Sequence, residues 1–345
     1  MRKTVFVVDD SNVALVNIDK VLGEHYNVLT FPSGADLFRV IETVLPDLIL
    51  LDIEMPGMDG FEVLTKLKAD KNYRDIPVVF LTGTTDEATE VRGFEMGVMD
   101  FIHKPFSAPV LVNRVKHQIS VNDLIKERTN KLEQAYHNVI FILSDLVENR
   151  DKDTGGHIER TVKYIRILIT EMFKQGIYLE SIKNWDVEMV SSCAILHDIG
   201  KIGIPDVVLN KQGRLTTDEF EKVKFHTING ARIIDKVIAR TGGDPFLHSS
   251  KLFAEYHHEN WDGTGYPYGL KGEDIPLHGR VMAIADVYDA LVTERPYKKA
   301  FPHEEAVEII LDNSGKRFDP KIVEVFYSVK DTFKLIGESS AGDGL

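Results

Sequence analysis

Cysteine is almost missing from this chain of 345 residues: Cys193 is the only one. No intrachain disulfide can form, and a reducing compartment is the expected setting. Long apolar runs are missing too. No stretch approaches the ~18 uninterrupted apolar residues of a membrane span. The first apolar run, residues 5–8, ends at Asp9, too short for a secretory leader. The expectation is a cytoplasmic protein without membrane insertion. Positive charge is in deficit: 41 Lys and Arg against 54 Asp and Glu leave a formal charge of −13. That argues against DNA as a partner, because its phosphates are met by clustered Lys and Arg. An acidic chain that handles an anionic substrate must do so locally, with cations or a few placed basic groups. What is present in quantity is ordinary: 43% hydrophobic residues, enough for a core in each of the two domains that this length suggests.

In the first 120 residues the short runs TVFVV, YNVLTF, DLILLD, IPVVFLT and DFIHKP alternate with helical patterns. This is the rhythm of a doubly wound, five-stranded parallel α/β sheet. In such sheets the working residues gather at the carboxyl ends of the strands. Asp9 and Asp10 end the first run, Asp52 the third and Thr82 the fourth, and Lys104 follows the fifth. Three carboxylates on one rim repel each other unless a cation joins them, and oxygen-only ligands favour Mg²⁺. Asp52 then has the setting of a nucleophile that takes up a phosphoryl group, with Thr82 and Lys104 to hold its oxygens. An Asp that merely starts a turn is the plainer account of any one of these residues. It does not account for five of them at the ends of the right strands.

With VVDD, LLDIEMPGMDG, FLTG and DFIHKPF in place, residues 1–120 resemble a response-regulator receiver domain. The resemblance implies that Asp52 is the phosphoacceptor, that Asp9 and Asp10 bind Mg²⁺ with it, and that a cognate sensor histidine kinase is a partner. Phe101 matches the family's switch aromatic. Gly83 stands after Thr82 where the family often has Ala.

Residues 107–150 form the next segment, a helical connector with no clear breaker. Val121, Ile125, Leu132, Ala135, Val139, Ile142 and Leu146, with Arg128 as the odd member, are spaced alternately four and three. That is a heptad seam of nearly four repeats. It predicts a coiled-coil-like connector and a homodimer; the plainer reading is one long helix docked on its own domain.

Beyond residue 150 the pattern is helical, and an all-α domain is expected. Ile158, Val162, Ile165, Leu168 and Met172 share one face. Thr216 and Glu219 read as a capping box ahead of a helix to about Ala239, and another helix is expected from about Arg280 to Leu291. Eight of the twelve histidines lie in this part. His157 follows Asp153 and a Gly pair; His197 and Asp198 sit in ILHDIGKIGIPD; His226 lies in KFHTING; His257 and His258 are adjacent in EYHHENWDGTGYP; Asp286 sits in AIADVYDAL. His226 taken alone falls on the apolar stripe Phe220, Val223, Thr227, Gly230 and reads as a core histidine. Together, however, so many buried imidazoles and carboxylates are costly unless paired or metal-bound, and helical bundles commonly build metal sites from facing helices. Five His and two or three carboxylates exceed one metal and suit two, with a carboxylate as bridge. Adjacent imidazoles diverge on a helix, so near a helix end His257 and His258 can complete a second metal beside the first. Nitrogen and oxygen ligands without thiolate suit Fe, Mn, Ni or Zn. Lys201 falls one turn beyond His197 if the helix continues, placed to neutralise a phosphate oxygen; a solvated Lys at a helix end is the plainer reading.

The ordered motifs TGGHIERT, HDIGKIGIPD, HTING, HHENWDGTGYP, ADVYDAL and ERPYKK resemble the HD-GYP branch of the HD phosphohydrolases over roughly residues 132–333. A domain over residues 137–340 is expected. The resemblance implies metal-dependent hydrolysis of cyclic di-GMP to linear pGpG or on to GMP. It implies metal ligation by His157, His197, Asp198, His226, His257, His258 and Asp286, with Fe or Mn first among the metals. It implies phosphate contacts from Lys201, Arg295 and Lys298, a catalytic role for Asp198 and Lys201, and a pocket shaped by Gly265, Tyr266 and Pro267. Members with a third metal carry Glu where Asp153 stands, so two metals are expected and a third is left open. Two rival functions are carried forward: a slow or inactive cyclic di-GMP-sensing module, and a hydrolase of another nucleotide.

Overall fold

The computed structural model describes residues 2–83, 86–150, 156–294 and 299–339. Its contacts divide into two units, residues 1–134 and 135–345. No helix among the described residues is long and apolar enough to cross a membrane.

In the first unit the five apolar runs become strands β1 (Thr4–Val8), β2 (Asn27–Phe31), β3 (Leu48–Asp52), β4 (Val78–Thr82) and β5 (Asp100–His103). They form one parallel sheet in the order β2-β1-β3-β4-β5. The central strands β1, β3 and β4 read as nearly unbroken apolar runs because both faces are covered. Along β1, Phe6 and Val8 face one core with Ile49, Leu51 and Phe80. Val5 and Val7 face the opposite core with Leu48, Leu50, Val79 and Leu81. Between the strands run α1 (Asn12–Leu22), α2 (Gly34–Ile41), α3 (Gly60–Ala69) and α4 (Glu87–Glu95). Each starts at a residue whose side chain accepts a backbone N–H of the first turn: Ser11, Ser33, Asp59 and Asp86. Asp59 and Glu62 form a full capping box, which satisfies two orphan donors at once. Phe101 is buried against Phe80 and Phe94.

The connector is α5, an unbroken helix of 41 residues, Ala108–Glu148. Its seam is exposed: Ile125, Val139, Ile142 and Leu146 are more than half open and Leu132 is 72% exposed. The last turns bury a different face, Ile140, Ser144, Val147 and Glu148, and Ile140 joins the core of the second unit.

The second unit is helical throughout: α6 (His157–Gln175), α7 (Leu179–Ile182), α8 (Val187–Ser192), α9 (Asp206–Leu209), α10 (Thr217–Lys224), α11 (His226–Thr241), α12 (Pro245–Tyr256), α13 (Leu277–Val292), α14 (His303–Asp312) and α15 (Pro320–Ser339). The predicted face of α6 is found: Ile158, Ile165, Leu168 and Met172 are buried, and Val162 packs against the same core. The single helix expected from Thr216 to about Ala239 is corrected to two. Its capping box forms, but α10 ends at Lys224 and α11 begins at His226. There the Val223 carbonyl accepts from the His226 ring at 2.6 Å and the Lys224 carbonyl from Thr227 Oγ1 at 3.0 Å. Side chains thus take the carbonyls that end α10, and His226 turns inward. Phe220, assigned to the same apolar stripe, is exposed.

Candidate metal centre

The His197–Asp198 pair does not sit in an α-helix, as the placement of Lys201 assumed. It lies between two 3-10 turns, Cys193–Leu196 and Ile199–Gly203. The tighter winding (three residues per turn) eclipses residues three apart. This brings Lys201 back over Asp198, Nζ to Oδ2 at 2.8 Å. The turn lies flat on α11 at Gly200, where a Cβ would meet the His226 carbonyl at 1.9 Å and the Gly230 nitrogen at 2.5 Å. Backbone cannot yield cheaply there, so Gly200→Ala is expected to cost about 1–3 kcal/mol and to displace Asp198. A thermal melt together with an activity assay checks both.

Four imidazoles are anchored through Nδ1. His157 meets Asp289 Oδ2 at 2.7 Å, His197 the Ala194 carbonyl at 2.9 Å, His226 the Val223 carbonyl, and His257 the Phe253 and Ala254 carbonyls at 3.0 and 3.1 Å. A backbone carbonyl only accepts, so Nδ1 of His197, His226 and His257 carries a proton, and in the neutral rings of His226 and His257 Nε2 holds a lone pair. These Nε2 atoms face one another. His226 and His257 Nε2 lie 3.2 Å apart, two acceptors with no proton between them unless one ring is charged. Burial, and then His226, push His257 down to about 3. His258 is also held well below its usual range by burial and by His257. These rings are therefore neutral at pH 7, and their facing lone pairs suit a cation.

Two groups can each surround an ion: His226, His257 and His258, and His157, His197 and Asp286. Asp198 lies between them. Its Oδ1 is 3.2 Å from His226 Nε2 and 3.8 Å from His257 Nε2, while Oδ2 is 3.2 Å from His197 Nε2. Oδ1 and the His197 Nε2 are nevertheless buried without a hydrogen-bond partner. Burial would raise Asp198, but Lys201 first and His197 next hold it well below the ordinary carboxylate range. Burial would likewise lower His197, yet Asp198 outweighs it and lifts it to about 9. The donor set, imidazole nitrogens and carboxylate oxygens with orphaned atoms aimed at each other, fits two divalent ions.

The adjacent His257 and His258 do not part to separate groups. α12 stops at Tyr256 with His257 as its cap in αR conformation, and the two rings sit 4.1 Å apart in one group. Tyr266 lies over His258 at 4.8 Å, and its N–H donates to the His258 carbonyl at 3.1 Å. That approach needs Gly265, where a Cβ would come within 2.2 Å of the Asn260 nitrogen. Pro267 follows Tyr266 in this turn, next to Tyr268, whose N–H is held by buried Glu259. The groups open into a cavity of about 350 Å³ lined in part by Asp198, Lys201, Lys211, His258, Tyr266 and Asp286. Asp153, Arg295 and Lys298 lie outside the described residues.

Three buried residues of this centre escaped the sequence reading. Asp289 holds both the His157 ring and Arg160, whose Nε donates at 2.6 Å. The signal was the i, i+3 pairs His157–Arg160 and Asp286–Asp289, each on one helix face. The third, Glu148, carried no signal beyond its charge.

In the first unit the expected rim also assembles. Asp9, Asp10 and Asp52 can surround a cation. Lys104 Nζ is 2.7 Å from Asp9 and 2.9 Å from Asp52, and Thr82 is buried at the end of β4. Burial raises Asp52 despite Lys104.

Comparison with known proteins follows this division. The HD domain family matches residues 142–322, and the response regulator receiver domain family matches residues 5–116. A probable cyclic di-GMP phosphodiesterase of Vibrio cholerae serotype O1 is 37% identical over 99% of this chain and 80% of its own length. A cyclic di-GMP phosphodiesterase response regulator of Xanthomonas campestris pv. campestris is 34% identical over 93% of this chain and 86% of its own. A 3'3'-cGAMP-specific phosphodiesterase of Vibrio cholerae is 34% identical over 60% of this chain and 37% of its own.

Proposed function

This chain belongs to the HD-domain family, in the branch that joins a response-regulator receiver domain to the HD domain, and from that premise we propose that it hydrolyses cyclic di-GMP. The observation that carries the proposal is the pair of facing Nε2 lone pairs at 3.2 Å, beside an Asp198 carboxylate shared between two ligand groups. The HD domain implies divalent metal binding. The residues present suit two transition metals, Fe or Mn first, with Ni or Zn as alternatives. Such a pair supplies a nucleophile from water at neutral pH and neutralises charge on a phosphate.

The chain's own residues do the rest. His157, His197 and Asp286 would hold one cation and His226, His257 and His258 the other, with Asp198 placed between the two groups. Lys201, already over Asp198, meets charge that develops on the phosphate oxygens in the cavity. Tyr266 and the turn around it wall the substrate side. Arg295 and Lys298 are proposed as further phosphate contacts, on the resemblance alone. The product is pGpG, GMP or both.

The receiver domain implies a phosphodonor, and a sensor histidine kinase is proposed, acting on Asp52 with Mg²⁺ at Asp9 and Asp10. The exposed seam of α5 is proposed to join two copies, so that phosphorylation of Asp52 reaches the metal centre through that helix. Protein purified anaerobically with Fe²⁺ or Mn²⁺ is expected to cleave cyclic di-GMP, at a rate that changes on adding a phosphate mimic. Binding without cleavage would replace the enzyme by a sensing module. Preference for the mixed guanine–adenine dinucleotide would replace the substrate.

A further inference from the structure

Glu148 is the last residue of α5, only 4% exposed, and lines the same cavity as His157, Asp198, Lys201 and Asp286. Its nearest partner is His157, Oε1 to Nε2 at 3.8 Å. That is too long for a hydrogen bond, and among the described residues its carboxylate accepts none. His157 turns its Nδ1 to the Asp289 carboxylate, which is held ionised by Arg160 and His157 against the pull of burial. Nδ1 is therefore the donor, and the lone pair of Nε2 points into the cavity. Asp286 Oδ1 lies 3.6 Å from the same Nε2. Groups from Glu148, Asp286 and His157 thus converge on one wall of the cavity. Two carboxylates brought this close on a largely buried wall repel each other, and a cation among them would offset that repulsion.

We propose that Glu148 is a further ligand of the cation held by His157, His197 and Asp286. The inference rests on the reading that this cluster holds cations. It gives α5 a second task. A helix of this length spans about 60 Å and begins at Ala108, four residues beyond Lys104 of the phosphorylation rim. Its far end carries a metal ligand, so a shift or rotation of α5 alters the coordination of the metal itself.

The test uses the full chain, stripped with a chelator and titrated with Mn²⁺ under calorimetric and electron-paramagnetic readout. Glu148→Gln keeps size and removes the charge. It is expected to weaken one Mn²⁺ site of the second unit tenfold or more, to leave the other sites unchanged, including that of the receiver rim, and to leave the metal-free melting temperature equal or higher. Glu148→Asp, with a shorter arm, is expected to fall between Gln and wild type, and serves if the Gln variant does not fold. Wild-type stoichiometry and affinity in both variants would overturn the proposal. Beryllofluoride on Asp52 is expected to shift Mn²⁺ affinity in the wild type and not in Glu148→Gln; an equal response in the two removes the α5 route. Should the wild type bind Mn²⁺ in its second unit but leave cyclic di-GMP intact, the proposed activity fails while the ligand question is still decided by the titration.

Discussion

Replacing Asp198 by alanine is expected to lower cyclic di-GMP hydrolysis by at least about a thousandfold, with the helical fold kept. Losing one fixed electrostatic stabiliser of a transition state costs about 10²–10³ in rate, and Asp198 serves two ligand groups and Lys201 at once. No other described carboxylate lies between His226 and His197. The core of the second unit is built from residues such as Tyr164, Ile165, Phe253, Met282 and Tyr288 and does not include Asp198. The circular dichroism of the variant should therefore match the wild type, while bound metal falls. Activity above a tenth of wild type would show that Asp198 does not bridge the reacting centre.

The second large effect is expected at Asp289, which is 1% exposed and holds Arg160, itself 5% exposed, together with His157. Alanine there removes the carboxylate that accepts from Arg160 Nε and from its second terminal nitrogen, and breaking a buried ion pair costs about 3–5 kcal/mol. For a unit of this size that lowers the melting temperature by roughly 6–20 °C. Asparagine preserves the shape and one acceptor. Its melting temperature should recover in part, while metal affinity stays about 10–100-fold down because the His157 ring is no longer held by a carboxylate. Equal stability of the alanine variant and the wild type in a melt of the metal-free protein would show that the Asp289–Arg160 pair contributes nothing net.

Much of this was legible in the chain itself. The three central strands are short, nearly unbroken apolar runs, the pattern of a sheet covered on both faces. The polar residue that ends each run then falls on one rim without further information. The capping boxes at Asp59 and Thr216 are local, made within four residues, and so visible in the sequence. The histidines were legible as a set, because imidazoles beside acids and glycines in a helical domain are too costly to bury idly.

What was illegible depends on contacts between residues distant in sequence. Lys201 was placed by α-helical spacing, but packing of Gly200 on α11 draws that segment into 3-10 turns. His226 read as a core residue because periodicity shows which face is inward, not what waits there. Glu148 and Asp289 are charged residues on helices, a pattern that in sequence describes a solvated surface as well as a buried ligand. The chain alone determined which residues are chemically able to hold cations and phosphoryl groups, since that follows from side-chain type and from order along strands and helices. Only the tertiary structure decided how they divide into groups, which oxygen of Asp198 faces which group, and that the end of α5 reaches the centre, because those are distances between elements that no local spacing encodes.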